Sequence, residues 1–219
     1  MKLPALLLPG LLAAAAVAAV AAAAPAWAAG PAKGPAKPDL ARGQEVATQV
    51  CVACHSADGS RGLPANPILQ GQIPEYLVKQ LQEFKSGQRD NAIMKGMAST
   101  LSDADMRNVA AFYAGKEAKP GFAKNRDTVV IGERIYRGGI PDRSIPACAG
   151  CHTPDGSGIP AQYPRLAGQH AEYAEAQLKA FRDGVRRNSL QMQGVSAKMN
   201  DREIQAVADY MAGLRSDKH

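Results

Sequence analysis

The 219-residue sequence predicts an all-α protein made of two tandem domains related by internal duplication, and three observations carry that prediction. The pentapeptide Cys51-Val-Ala-Cys54-His55 recurs as Cys148-Ala-Gly-Cys151-His152, and the two copies use all 4 cysteines of the chain. Residues flanking the two copies fall into register when the motifs are superposed. Apolar residues in each half recur at helical spacing, and no alternating strand pattern competes.

The register is long enough to assign equivalent jobs to equivalent residues. At a fixed offset, Pro67 meets Pro164, Leu69 meets Leu166, Gly71-Gln72 meets Gly168-Gln169, Tyr76 meets Tyr173, Gln80-Leu81 meets Gln177-Leu178, Phe84 meets Phe181 and Arg89 meets Arg186. After Asn91 and Asn188 the second copy gains one residue, and Met94 then meets Met192, Gly96 meets Gly194, and Val109-Ala110 meets Val207-Ala208.

In chain order, a short helix is expected to begin near Gly43 in the first half and near Gly132 in the second, and an insertion at Arg137 to Ser144 lengthens the exit of the second. A helix then starts at Pro74, carries Tyr76, Leu77, Gln80, Leu81 and Phe84 as one stripe, and stops at Gly87; Tyr173, Gln177, Leu178, Phe181 and Gly184 repeat it. A last helix starts after Ser102, with Met106, Val109, Ala110 and Tyr113 on one face, and its counterpart starts at Asn200 with Glu203 at the capping-box position. Pro120-Gly121 interrupts any helical pattern. The resulting division is a first domain over 39–115, a linker over 116–128, a second domain over 129–215 and a tail over 216–219.

The N-terminus reads as an export signal. Met1-Lys2 precedes an alanine-rich apolar run that ends at Ala26-Trp27-Ala28, a small-x-small pattern that places cleavage after residue 28 and leaves a Pro/Gly/Lys-rich leader over 29–38. The competing reading is an uncleaved membrane anchor, since the run is long enough to span a bilayer, although Pro4, Pro9 and Pro25 interrupt it. Export predicts a periplasmic protein. The formal charge is +6 for the whole chain. Residues 29–126 hold 13 basic and 9 acidic side chains against 12 and 11 over 127–219, so the N-terminal half is the one expected to meet the more acidic partner. Dispersed basic residues and scarce aromatics exclude a nucleic-acid partner.

The pentapeptide is the attachment signature of c-type haem: two thiols three residues apart add to the vinyl groups of one porphyrin, and the adjacent histidine supplies an axial bond to iron. Zinc, a redox dithiol and structural disulfides are the alternatives. Zinc would not need a histidine after each pair and closes over shorter spacings; a redox dithiol accompanies a βαβ pattern, absent here; and a disulfide between residues three apart closes too small a loop to constrain the unfolded chain. Four free thiols would also be unstable in an oxidising compartment. The expected cofactors are therefore two covalently bound haem c groups, attached through Cys51 and Cys54 and through Cys148 and Cys151, with His55 and His152 on the irons.

A low-spin carrier holds its iron from both sides, and methionine sulfur raises the potential. Met94, Met97 and Met106 follow His55, and Met192, Met199 and Met211 follow His152. Only Met94 and Met192 coincide in the repeat, in a shared Met-x-Gly, so they are the expected sixth ligands; Met106 and Met211 lie on helix faces and read as core. His170 reads as a solvated surface residue and His219 as a frayed terminus. Pro67 and Pro164 each lie twelve residues beyond a motif histidine, where a carbonyl could accept the imidazole Nδ1 proton.

With duplicated CxxCH, Pro-x-Leu-x-Gly-Gln, the Tyr-x3-Gln-Leu-x2-Phe helix and Met-x-Gly in each half, residues 39 to 215 resemble the bacterial dihaem cytochrome c4 family. The resemblance implies two class I cytochrome c domains in a pseudo-twofold arrangement, with haem propionates approaching each other and electrons passing between the irons. It also implies a periplasmic carrier, soluble or loosely membrane-associated, fed by a quinol-oxidising complex and delivering to a terminal oxidase or reductase. Two rival classes stay open. A dihaem peroxidase needs an openable iron and an acid-base group. A cytochrome subunit of a larger dehydrogenase would have its catalytic chain elsewhere.

Overall fold

The computed structural model describes residues 36–215, so the expected signal segment 1–28, leader residues 29–35 and the tail 216–219 lie outside the described residues. In the first half α1 (Leu40–Val46) continues through a π-helical turn (Ala47–Cys51) into α2 (Val52–His55), followed by α3 (Pro74–Ser86), α4 (Ala92–Ser99) and α5 (Asp103–Ala114). In the second half α6 (Arg126–Gly138) and a 3-10 turn (Pro141–Arg143) lead to α7 (Ala149–His152), α8 (Ala171–Arg182), α9 (Leu190–Ser196) and α10 (Asp201–Gly213). Among the described residues there is no strand; β-structure amounts to two isolated bridges, Ile140 with Ile145 and Ile159 with Tyr163. No helix among the described residues is long and apolar enough to cross a membrane.

Both first helices begin earlier than their glycines. The Asp39 carboxylate accepts the Arg42 N–H at 3.0 Å and starts α1, while Asn125 Oδ1 accepts the N–H groups of Asp127 and Thr128 and starts α6 at Arg126, three residues ahead of the expected domain boundary. Gly43 and Gly132 lie inside the helices for a different reason. A Cβ at Gly43 would come within 2.3 Å of the Asn108 carbonyl oxygen on α5, and one at Gly132 within 2.1 Å of the Ala206 oxygen on α10. The glycines let each first helix press backbone to backbone on its domain's last helix. α5 and α10 start at the expected capping boxes, Ser102 with Asp105 and Asn200 with Glu203.

Behind these crossings Val46, Leu77, Phe84, Met106 and Val109 fill the first core, and Ile135, Leu178, Met199, Ile204 and Val207 fill the second. The two cores use a tyrosine in opposite places. The first core holds Tyr113 on α5 and the small Ala47; in the second, aligned on the crossing glycines and last helices, the corresponding positions hold Met211 and Tyr136. One large ring per domain is thus kept while its helix of origin switches, the volume-conserving exchange a packed core tolerates. The segment joining the halves is pinned, since the buried Asp209 carboxylate accepts the N–H groups of Lys124 and Asn125 at 2.8 and 3.0 Å.

The halves meet through a reciprocal interface. Gln72 donates to the Arg165 carbonyl (3.0 Å) and accepts the Arg165 N–H (2.9 Å), while Gln169 donates to the Ile68 carbonyl (3.0 Å) and accepts the Ile68 N–H (2.9 Å). Arg89 reaches Tyr173 and Gln177 across the boundary, and Arg186 reaches Tyr76 and Gln80. Each of these glutamine and arginine contacts has its partner with the halves exchanged, which is the signature of a twofold arrangement. The α3 stripe is accordingly split. Leu77 and Phe84 turn into the core, whereas Tyr76 and Gln80 face the other half. Burial pushes the Tyr76 phenol up, but the facing Arg186 and Arg89 outweigh it and draw it below the usual tyrosine range.

Two outcomes follow for stability. Gly132→Ala should destabilise the second domain by about 1–3 kcal/mol, read as a lower urea midpoint, because the added methyl meets backbone that cannot rotate away. Asp105, hydrogen-bonded to Arg42 and Ser102, is drawn down from 3.8 to about 2. Its folded value is depressed, so its contribution is present above its unfolded value and lost as pH falls through the folded one. The urea midpoint of Asp105→Asn should lie below wild type at neutral pH and converge with it as pH drops from about 4 to about 2.

Candidate functional site

Each pentapeptide ends a short helical segment, α2 or α7, and the chain then turns sharply at a non-glycine residue of positive φ, Ser56 (60°) or Thr153 (68°). The turn carries the following loop back beneath the histidine. His55 Nδ1 lies 3.0 Å from the Pro67 carbonyl oxygen and His152 Nδ1 lies 2.9 Å from that of Pro164. A carbonyl can only accept, so Nδ1 carries the proton in both rings and Nε2 is the nitrogen available to iron. Burial pulls both histidines below their ordinary pKa, partly offset by the carbonyl bond, which keeps the imidazoles neutral, the form that ligates metal. Tyr163 stacks edge-on against His152 at 5.7 Å between centroids; the first half has Asn66 there, donating to the Cys54 carbonyl.

All four thiols are free, and in each pair the first is half-buried and the second exposed. Burial raises the Cys51 thiol, against a smaller lowering from Tyr113, and raises Cys148 to about 11. Among the described residues no group of three or more His, Cys, Asp or Glu is gathered to hold a metal ion, so the two cysteine pairs do not converge as a zinc site would require. Free thiols three residues apart, each pair followed by a histidine whose distal nitrogen is held in the ligating tautomer, fit covalent haem twice over.

The six candidate methionines separate by environment. Met106, Met199 and Met211 are buried in the two cores, and Met97 is exposed on α4. Met94 and Met192 are half-buried at the core edge, and both occupy the third position of a short helix whose cap accepts the methionine N–H: Asn91 Oδ1 at 2.9 Å and Ser189 Oγ at 3.3 Å. His170 differs from its expectation. It is buried, not solvated: it caps the start of α8, where Arg61 and Lys124 approach it from elsewhere in the chain, and its Nε2 has no hydrogen-bond partner.

Sequence reasoning missed the role of the matched polar residues. Gln72, Gln169, Arg89 and Arg186 were visible as repeat positions, yet their work lies across the boundary between the halves. It also missed the tyrosines beside the first cysteines: burial lifts both Tyr113 and Tyr136 above the usual range, with Cys51 and Cys148 the next causes. The Tyr136 hydroxyl donates to the Thr153 carbonyl at 2.8 Å, so the two centres are not wired alike.

The sequence profile of the cytochrome c family matches residues 40–114 and 131–215, one match in each half. A cytochrome c4 of Pseudomonas aeruginosa is 42% identical over 180 residues, covering 80% of this chain and 89% of the relative. A thiosulfate dehydrogenase electron acceptor of Stutzerimonas stutzeri is 40% identical over 178 residues, covering 78% of this chain and 82% of that one. The crystal structure of reduced recombinant cytochrome c4 from Pseudomonas stutzeri superposes with a TM-score of 0.77 at 39% identity, covering 82% of this chain and 100% of its own. With both halves matched and both attachment motifs present, the chain belongs to the dihaem cytochrome c4 family of electron carriers and carries two covalently bound haem c groups.

Proposed function

We propose that the chain is a periplasmic electron carrier whose first haem is attached through Cys51 and Cys54 and ligated by His55 and Met94, and whose second is attached through Cys148 and Cys151 and ligated by His152 and Met192. The observation that carries this reading is the paired geometry: in each half one histidine is fixed through Nδ1, and one half-buried methionine stands at the same capped helix position. Bound haem iron supplies the one-electron exchange between ferric and ferrous states. The carbonyls of Pro67 and Pro164 orient the imidazoles and strengthen their donation. The caps at Asn91 and Ser189 fix the backbone that presents the methionines.

Ligands on both faces leave little room for substrate chemistry, which is why a carrier is favoured over a peroxidase. The physiological chain we infer runs from a quinol-oxidising donor to a terminal oxidase or reductase. The second reading, a redox partner of a dehydrogenase, is favoured by the likeness to the thiosulfate dehydrogenase electron acceptor. Export rests on the apolar N-terminal run and its Ala26-Trp27-Ala28 pattern.

Met94→Ala and Met192→Ala should each remove about half of the methionine-to-iron charge-transfer absorption of the oxidised protein, and the double variant all of it. Full absorption in either single variant would overturn that ligand assignment. Steady turnover of peroxide by the purified dihaem protein would overturn the carrier reading.

A further inference from the structure

Tyr113 is 2% exposed, and its hydroxyl is the only buried phenol oxygen among the described residues without a hydrogen-bond partner. A buried hydroxyl that gives up water and closes no bond is costly, and a packed protein seldom leaves one idle. The residue is held from several sides. A Cβ added at Gly59, in the loop after His55, would stand 2.6 Å from Tyr113 Cδ1, and the Gly71 N–H donates to the Tyr113 carbonyl at 2.9 Å. Phe112 lies edge-on to the ring at 5.4 Å between centroids.

Beside the hydroxyl stands the first cysteine of the first motif. Cys51 packs at the edge of the same core. Burial raises its thiol while Tyr113 draws it down, and Cys51 in turn adds to burial, with a smaller part from Asp58, in holding the phenol above the usual range. Once joined to a haem vinyl carbon, the sulphur is a thioether with lone pairs and no proton, so it can only accept. The unused donor and the acceptor-only sulphur then complement each other. The second half offers no such donor: Met211 takes the place of Tyr113, and Tyr136, beside Cys148, commits its hydroxyl to the Thr153 carbonyl at 2.8 Å.

We propose that the Tyr113 hydroxyl donates a hydrogen bond to the Cys51 sulphur once haem is attached there, and so raises the reduction potential of the first haem alone. It rests on the first haem centre proposed above; the optical ligand band tests that centre, and the separate potentials test the tyrosine. The positive end of the O–H dipole points at the edge of the macrocycle from a place shut off from water. Reduction adds an electron to that macrocycle's iron, so the dipole favours the ferrous state.

Spectroelectrochemical titration of the full dihaem protein decides this, the wave of the first haem being the one that Met94→Ala displaces. Tyr113→Phe keeps the ring and deletes only the oxygen. It should lower the reduction equilibrium constant of the first haem, against a common donor, by roughly threefold to tenfold, with the second wave in place and the methionine-to-iron band intact. A ring-fluorinated tyrosine in place of Tyr113 is a stronger donor of nearly the same size and should move the first wave the other way. An unmoved first wave in Tyr113→Phe, equal movement of both waves, or shifts of the same sign in the two variants would overturn the proposal. Absence of the methionine-to-iron band from the unaltered protein would overturn the haem centre, and the proposal with it.

Discussion

The side-chain amides of Gln72 and Gln169 each close two hydrogen bonds on the backbone of the opposite half, and the relative placement of the two haem centres depends on that exchange. An amide that both donates to and accepts from one residue fixes direction as well as distance. At roughly 1 kcal/mol net per bond, the two clamps contribute a modest energy. Their greater effect is on register. Ile68 and Arg165 stand one residue past Pro67 and Pro164, whose carbonyls hold the imidazoles. A slip at the interface would be felt at the histidines within one peptide unit.

Duplication has preserved this frame and relaxed the rest. The clamp, the arginines, the aromatic rings beneath them and the crossing glycines occur in both halves. The core tyrosine does not: it stands on the last helix of the first domain and on the first helix of the second. Charge is uneven as well, since Lys79 and Glu83 on α3 correspond to Ala176 and Ala180 on α8. Two centres of the same chemistry therefore sit in different electrostatic surroundings, a physical source of unequal potentials within one symmetric scaffold.

The helices and the attachment motifs were legible because they rest on local chemistry. Capping residues at Ser102 and Asn200, the Pro74 start and the Gly87 stop each act within a turn or two of chain. Met94 and Met192 could be singled out because a duplicated sequence supplies its own comparison. The interface was not legible, although Gln72, Tyr76, Gln80 and Arg89 had each been matched to a counterpart in the other half. Spacing says that Tyr76, Gln80 and Phe84 share a helix face, but not that the face wraps from core to boundary. Gly43 and Gly132 were read as helix starts because glycine marks breaks more often than close crossings; the contact that requires them lies more than sixty residues away along the chain. His170 was misplaced for the same reason, since Arg61 and Lys124, far from it along the chain, come close to it in the fold.

The most direct test of the two halves acting as one body is amide hydrogen exchange at Ile68 and Arg165 in the holoprotein. Each N–H is donated to a side chain of the opposite half, so its protection reports the interface more than the folding of its own domain. The account predicts that both amides exchange slowly and nearly alike, and that Gln72→Ala accelerates Arg165 while leaving the amides of the α5 core protected. Rapid exchange of both in the unaltered protein would contradict it.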